Sequence, residues 1–271
     1  MNQVGKVTGV GAGTATITCR ATDGSGKKAT VKVKVITPVS YVKITPSIER
    51  FMYSNYVIAA GCSATNKVTY GDAFGKPSDP GVEYSWSAYT YRGGYHDLTD
   101  ELKAAGLVKL TTSGKLTLKK GMAAYEGCHI TVYAEATDGS WQYDSVDYYV
   151  TAPTKYLKAE AKTVMGSYYD LEGWGETDIF VYTTEFTTIK ATSSNPSVSS
   201  IYGYMELLEE PDPDNPDAPT YSDFGINPYV NGERIYVYLV VCVNGGPGKA
   251  DIKIETIDGT NKSVTVSTTV K

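Results

Sequence analysis

Catalysis by this chain would depend on its two histidines, His96 and His129, because histidine exchanges protons most readily near neutral pH. A hydrolytic triad needs a nucleophile, a base and an orienting acid that converge on one site. His129 lies in an alternating run beside Cys128 with no acidic partner in local register, and His96 stands next to Asp97 at the start of a short helical segment. The sequence contains no Gly-x-Ser-x-Gly motif. We therefore predict no catalytic residues and no enzymatic activity.

A carboxylate cluster offers a different chemistry, the binding of a hard cation. Asp212, Asp214 and Asp217 lie in the acidic, proline-rich segment 206–219. Calcium prefers such oxygen ligands, but a helix-loop-helix calcium loop needs a central glycine and a distal glutamate, which this segment lacks. Its prolines cannot donate to a strand ladder, so the segment is predicted to be a loop. A solvated loop is the favoured interpretation, with a weak calcium site as the alternative and no other cofactor expected.

Aromatic rings on loops are the third candidate chemistry, because the chain has 23 tyrosines against 5 phenylalanines and 3 tryptophans. Most of these tyrosines are expected to pack on strand surfaces. Some rings on turns should instead be exposed, where they would stack on a sugar or on a partner protein. The candidate binding residues are Trp141, Tyr143, Trp174, Tyr91 and Tyr95. Incidental packing is the alternative for all five.

The sequence contains a repeated Asp-Gly pattern. Asp-Gly occurs at Asp23, Asp138 and Asp258, at intervals of 115 and 120 residues, each time between alternating runs. Asp-Gly between two such runs predicts a β-hairpin, because both residues tolerate the positive φ of its turn. Hairpins that recur at the length of a domain indicate tandem β-domains.

The repeat divides the chain into three units. We predict a partial unit at 1–37, a full unit at 38–153 and a second full unit at 154–271. Within 38–153, alternation and turn residues predict strands near 41–46, 55–65, 82–90, 107–112, 114–119, 128–137 and 143–151. A helix is predicted over 97–105, capped by Asp97 and ended by Gly106. Seven short strands favour a β-sandwich with a helical insertion.

Composition excludes several classes of protein. The net charge is −5, and no cluster of basic residues stands out beyond Lys27-Lys28 and Lys119-Lys120, which argues against nucleic-acid binding. No apolar run approaches the roughly 18 residues that a membrane span needs. The four cysteines form no Cys-x-x-Cys pair, so a zinc knuckle is not expected. Free thiols are favoured, with a Cys62–Cys128 disulfide as the alternative.

Residues 5–35 resemble the carboxyl half of a bacterial immunoglobulin-like domain of group 2, the module of intimin- and invasin-type surface proteins. The resemblance is carried by the run from Gly5 to Thr18 and by the Asp-Gly hairpin that ends at Val35. Segments 113–121 and 192–198 are similar to further parts of that module. The resemblance implies an all-β fold of tandem immunoglobulin-like sandwiches without catalytic residues.

The predicted function is therefore a non-enzymatic structural or adhesive module of a bacterial cell-surface or secreted protein. It would act as a spacer or display segment, with a protein or glycan on a cell surface as its partner. One alternative is a phage virion component of the head or tail, and another is a carbohydrate-binding module. Because 1–37 holds too few strands to bury both faces of a sandwich, this unit must borrow a partner. The partner would be the second unit, another copy of the chain through self-association, or the preceding half-domain of a longer parent.

Overall fold

The computed structural model describes residues 5–48, 56–71, 80–167 and 175–271. Within these ranges the chain is built almost entirely of strands, with one α-helix and two short 3₁₀ turns. The predicted all-β class is confirmed. All strand pairs are antiparallel except one parallel pair in each of the two large sheet assemblies.

An isolated hairpin comes first. It joins β1 (Gly13–Arg20) to β2 (Lys28–Val35), in register from Gly13↔Val35 to Arg20↔Lys28. Alternation places alanine, isoleucine, cysteine and valine on one face, and threonine, lysine and arginine on the other. No further strand pairs with this hairpin in the described part of the chain. Val31, on its apolar face, is 58% exposed, so no described sheet covers that position.

A sandwich of two sheets follows. Its strands are β3 (Tyr41–Pro46), β4 (Tyr56–Ala59), β5 (Ser63–Gly71), β6 (Val82–Thr90), β7 (His96–Asp97), β8 (Val108–Leu110), β9 (Lys115–Leu118), β10 (His129–Ala136) and β11 (Tyr143–Thr151). One sheet has the order β4-β11-β10-β6-β7 and the other has the order β3-β5-β9-β8. Alternate side chains such as Ile130, Val132 and Leu116 fill the core between them. The buried Tyr148 hydroxyl donates to the Asn66 side-chain oxygen, which satisfies both polar groups.

A second sandwich is built from ten further strands. They are β12 (Leu157–Ala159), β13 (Thr163–Gly166), β14 (Gly175–Thr183), β15 (Ile189–Ser193), β16 (Ser199–Leu207), β17 (Tyr229–Val230), β18 (Glu233–Arg234), β19 (Tyr236–Asn244), β20 (Gly248–Thr256) and β21 (Ser263–Val270). The main sheets have the orders β12-β14-β19-β16 and β13-β21-β20-β15. Among the described strands, no sheet takes strands from both sides of residue 153. The division into units at 38–153 and 154–271 stays a prediction.

The insertions differ from the predictions at their edges. The helix α1 (Thr99–Ala105) begins two residues late, and its N-cap position is Leu98, so the predicted cap at Asp97 is wrong. The Asp97 carboxylate accepts the Thr99 N–H at 2.8 Å just outside the helix. Gly106 ends it in the left-handed conformation, as predicted. The single strand expected over 55–65 is wrong: Gly61, at φ +86°, turns the chain between β4 and β5. The loop expected over 206–219 begins later, because Glu206 still belongs to β16.

The insertion after β16 covers the outer face of its own sheet. Tyr221, Leu207 and Ile235 are buried there against Val237 and Leu239, apart from the main core. The Tyr221 hydroxyl donates to the Ile235 carbonyl at 2.9 Å. This acidic, proline-rich insertion therefore brings a second hydrophobic cluster to the unit.

The turn glycines give the first testable prediction. Gly139 has φ +81°, and an added Cβ would meet no atom within 4 Å, so a substitution there changes the backbone energy and causes no clash. We expect Gly139→Val to lower the free energy of unfolding by about 1–2 kcal/mol, measured by urea unfolding. Gly139→Asn should have a smaller effect, because asparagine tolerates positive φ. An equal loss in the two variants would contradict this account.

Candidate functional site

An aromatic patch lies on the outer face of the five-stranded sheet. We define it as Tyr89, Tyr91, Tyr95, His129 and Tyr149. The register His129↔Tyr89 and His129↔Tyr149 places three of these residues side by side on β6, β10 and β11. Their sequence neighbours Ala88, Ile130 and Tyr148 point into the core, so alternation directs the patch residues outward.

The rings of the patch pack on one another. Tyr89 stacks on His129 with centroids 4.9 Å apart and planes 5° apart, and Tyr149 meets His129 edge-on at 5.5 Å. Tyr91 and Tyr95 contact Tyr89 at 5.5 Å and 6.0 Å. These two outer tyrosines remain 66% and 64% exposed. The patch therefore presents two exposed rings, Tyr91 and Tyr95, beside the packed rings of Tyr89, His129 and Tyr149.

His129 has an acidic partner, so the expectation that it lacks one is wrong. Its Nδ1 lies 2.6 Å from Oδ2 of Asp147, and Oδ1 of Asp147 accepts the Thr131 hydroxyl at 2.8 Å. Asp147 is directly opposite Thr131 on the neighbouring strand, 18 residues from His129, so only the register of β10 and β11 reveals the pair. Burial, and then the charge of Asp147, raise the pKa of Tyr89 to about 12.

The thiol beside His129 is not an active nucleophile. Cys128 is buried in the core, and burial raises its pKa to about 12. The thiolate is the reactive form of cysteine, so this thiol is inert at neutral pH. All four cysteines are free thiols, including Cys62 and Cys128. The Asp147 carboxylate contacts the His129 ring that stacks on Tyr89 within the aromatic patch.

The predicted binding residues fall into separate places. Tyr91 and Tyr95 lie together in the patch, while Trp141 and Tyr143 lie at the other end of the β10–β11 hairpin. Trp141 is 80% exposed and borders a shallow cavity of about 250 Å³ with Glu83 and Glu135. Trp174 lies outside the described residues. The five candidates therefore do not form one site.

Tyr89 and Tyr149 are patch members that the sequence analysis missed. A signal for Tyr89 was available, because it lies near the end of the predicted strand 82–90, two residues before the candidate Tyr91. Tyr149 required the pairing of β10 with β11. A Tyr-x-Tyr pattern read together with the hairpin register would have located most of the patch.

The three aspartates of the proposed calcium site lie on the loop after β16. Oδ1 of Asp212 accepts the Asp214 N–H at 2.9 Å, which closes a turn within the loop. Asp212 and Asp217 line a cavity of about 390 Å³ together with Glu206. Among the residues that the structure describes, no three carboxylate, histidine or cysteine side chains converge as metal ligands do. The weak calcium site stays a prediction.

A third feature is the contact between the two sandwiches at Asp258. This side chain is 0% exposed. Its Oδ1 accepts the Thr260 N–H at 2.9 Å and its Oδ2 accepts the Thr154 hydroxyl at 3.1 Å, while its main-chain carbonyl accepts the Ala59 N–H of the preceding sandwich at 3.1 Å. Phe186 adds an edge-on contact to Tyr149 across the same junction, at 6.1 Å.

The corresponding turn at Asp138 repeats part of this arrangement. Its Oδ1 accepts the Ser140 N–H at 2.9 Å, and its Oδ2 accepts the Val39 N–H at 2.8 Å. Val39 and Thr154 are the equivalent positions at the start of their units, 115 residues apart. The aspartate of each turn therefore holds the entry segment of its own sandwich. The repeated Asp-Gly spacing indicated that the two turns are equivalent, but it did not show which groups the carboxylate binds.

Comparison with known proteins gives no assignment by sequence. No known family profile matches the chain, and no curated protein matches it. Among solved structures, the S-layer protein rSbsC(31-844) is 12% identical with a TM-score of 0.28, over 100% of this chain and 37% of that one. FdeC, an Escherichia coli adhesin, is 13% identical with a TM-score of 0.28, over 91% and 71%. Extracellular domains 3–5 of Drosophila OTK are 15% identical with a TM-score of 0.31, over 96% and 70%.

At these TM-scores the structural similarities do not indicate a function. The chain spans just over a third of the S-layer chain. The resemblance to group 2 bacterial immunoglobulin-like domains therefore rests on the sequence motifs alone. A search of the described residues finds no helix that is long and apolar enough to cross a bilayer.

The cavity beside the acidic loop yields a pH prediction. Burial raises the pKa of Glu206 to about 7, against an opposing effect of Arg234. The folded state therefore binds this proton more tightly than the unfolded state, and the free energy of unfolding should fall as the pH rises from about 4.5 to about 7. Glu206→Gln should remove that fall, a gain of about 2 kcal/mol at pH 8 after allowance for water around the carboxyl.

The measurement is urea unfolding of the unmodified chain and of Glu206→Gln between pH 4 and pH 8. Glu210→Gln is the matched control, because Glu210 is an exposed carboxyl close to the same loop. This control should keep the pH profile of the unmodified chain. A Glu206→Gln profile parallel to that of the control would show that Glu206 titrates as an ordinary carboxyl.

Proposed function

We propose that this chain is a non-enzymatic structural segment that holds tandem immunoglobulin-like sandwiches in a fixed relation, as a spacer or display element of a bacterial cell-surface or secreted protein. The observation that carries the proposal is the Asp258 contact. A fully buried carboxylate must have its hydrogen bonds satisfied, and here the partners come from the turn and the linker. The backbone of the preceding sandwich is held by the carbonyl of the same residue.

The linker between the sandwiches is consistent with this role. Only residues 152–156 separate β11 from β12, and the segment contains Pro153. Domains in one chain move relative to each other unless their interface is well packed. A short linker with proline, together with a buried polar contact, restricts that motion. The surface location and the spacer role rest on the group 2 resemblance, and so does the virion alternative.

Scattering in solution tests the fixed relation of the sandwiches. Asp258→Ala leaves the Thr154 hydroxyl and the Thr260 N–H without their acceptor, so we expect a loss of about 1–3 kcal/mol in the free energy of unfolding. Small-angle X-ray scattering should show a broader distribution of interatomic distances and a larger maximum dimension for this variant.

Asp138→Ala is the matched control. It removes the same carboxylate from the equivalent turn, but that turn is not part of the contact between the two sandwiches. It should destabilise its own unit without broadening the scattering profile beyond that of the unmodified chain. If the two variants scatter alike, the Asp258 contact does not fix the sandwiches, and the proposed spacer role fails.

Carbohydrate binding is the second candidate function, and the aromatic patch is the observation that favours it. Sugar rings stack on exposed tyrosine faces, and Tyr91 and Tyr95 present two such rings 6.0 Å apart. His129 and Tyr89 support them from below. Tyr91 and Tyr95 lie on the short turn between β6 and β7, and the rings that support them, Tyr89 and His129, lie on strands.

A glycan array of bacterial and host cell-surface saccharides tests this candidate. Any saccharide retained by the array should bind Tyr91→Ala and Tyr95→Ala about three- to tenfold more weakly, the effect of losing one ring contact. Tyr143→Ala, an exposed tyrosine at the far end of the hairpin, should bind normally. Absence of binding on the array, or binding that is lost only with Trp141→Ala, would exclude the patch as the site.

A further inference from the structure

The three Asp-Gly turns of this chain follow one backbone path. Each is closed by the same hydrogen bond, in which an N–H at the start of the turn donates to a carbonyl at its end, from Ala21 to Lys27, from Ala136 to Gln142 and from Thr256 to Lys262. The residue before that carbonyl has a positive φ each time, +67° at Gly26, +59° at Trp141 and +54° at Asn261. The turns therefore serve as internal comparisons for one another.

Trp141 is the exception at this position. Glycine lacks a Cβ and asparagine tolerates the left-handed conformation, whereas a bulky side chain with positive φ is an outlier. The other two non-glycine residues with positive φ in the described part of the chain are the asparagines Asn231 and Asn261. Burial does not offset the strain, because Trp141 is 80% exposed. Residues strained in this way cluster at ligand sites, so the ring itself calls for an explanation.

The charges beside this ring are unusual as well. Glu83 on β6 lies directly opposite Glu135 on β10, an arrangement of like charges that destabilises a sheet. Ala134 and Ala136 face the core, so alternation directs the Glu135 side chain and its partner outward. Both glutamates line the cavity of about 250 Å³ that Trp141 borders. Among the described residues, no basic side chain lines this cavity or forms an ion pair with either carboxylate.

The equivalent turn of the second sandwich supplies its own cations. Glu255 corresponds to Glu135 at the interval of 120 residues, and the residue opposite it is Lys190, where the first sandwich has a glutamate. Lys253 lies on the same strand, with its Nζ 2.8 Å from Oε2 of Glu255. The same position is therefore balanced in charge in one sandwich and left negative in the other, next to an exposed indole.

We propose that the cavity between Glu83, Glu135 and Trp141 binds an arginine side chain of a partner protein. Charge complementarity requires a cation there, and tryptophan is the aromatic ring that attracts a cation most strongly. A guanidinium is planar, so it can lie flat on the indole while its N–H groups donate to the carboxylates. A lysine ammonium is a strongly hydrated point charge without such a plane. Free arginine carries a carboxylate that the glutamates would repel, which favours a side chain on a protein surface.

The test adds the blocked peptide acetyl-Gly-Arg-Gly-amide to the full chain and follows nitrogen–proton NMR spectra. The indole N–H of Trp141 and the backbone amides of 135–139 should shift and saturate as the peptide is added. Citrulline has nearly the shape of arginine without its charge, so the citrulline peptide should bind at least threefold more weakly. The lysine peptide and free arginine should also bind more weakly than the arginine peptide.

Two variants borrow residues from the equivalent turn of the second sandwich. Glu83→Lys recreates the Lys190–Glu255 arrangement, and Trp141→Asn recreates the residue at Asn261. Each should weaken binding at least threefold, measured at the amides of 135–139. Each should also unfold at a urea concentration no lower than that of the unmodified chain, because it removes a like-charge pair or a strained residue. Glu210→Lys, which makes the same change in net charge at an exposed site of the other sandwich, should bind normally.

Four results would overturn the proposal. One is the absence of any shift at these resonances up to the solubility limit of the arginine peptide. Another is a citrulline or lysine peptide that binds as tightly as the arginine peptide, since charge or the planar fork would then play no part. Unchanged binding in Glu83→Lys would move the site elsewhere. Loss of stability in both Glu83→Lys and Trp141→Asn would show that the two residues serve the fold and not a ligand.

Discussion

A buried aspartate that must be hydrogen-bonded on every side determines how the sandwiches of this chain begin and join. One carboxylate oxygen of Asp258 closes the turn and the other holds Thr154, where the unit starts. Its carbonyl accepts Ala59 of the preceding unit. Burying such a carboxylate without partners is costly, so the turn and the linker are held together. Among the described residues, Asp258 hydrogen-bonds to the preceding unit only through its main-chain carbonyl. Asp138 repeats the turn and the linker contacts with Val39.

The two complete units use the outer faces of their sheets differently. In the second sandwich the insertion after β16 folds back, and Phe224 packs edge-on against Phe180 at 5.3 Å. That face is thus partly sealed by the chain itself. In the first sandwich the insertion is the short helix α1, and the face around His129 carries the open aromatic patch. The outer sheet face is therefore exposed around His129 in the first sandwich and partly covered in the second.

Local patterns accounted for much of the fold. Alternation and the three Asp-Gly turns predicted the hairpins, because a strand period and a turn conformation are properties of neighbouring residues. The turn at Gly61 was missed because a single glycine inside an apolar run does not by itself show that the strand ends there. The parallel pairing of β4 with β11, the His129–Asp147 pair and the Asp258 contact join residues far apart in the sequence. Their formation depends on register and packing, which no local pattern encodes.

The parallel strands also determine how the units respond to tension. In each unit the last strand, β11 or β21, lies beside a parallel partner, β4 or β13, that comes from near the start of the unit. Once the first strand of the unit, β3 or β12, has detached, a load applied through the two ends pulls such partners in opposite directions along their length. Their slanted hydrogen bonds are then strained together and not one after another. Rupture under load is governed by the unfolding rate, so this topology favours slow mechanical failure of each unit.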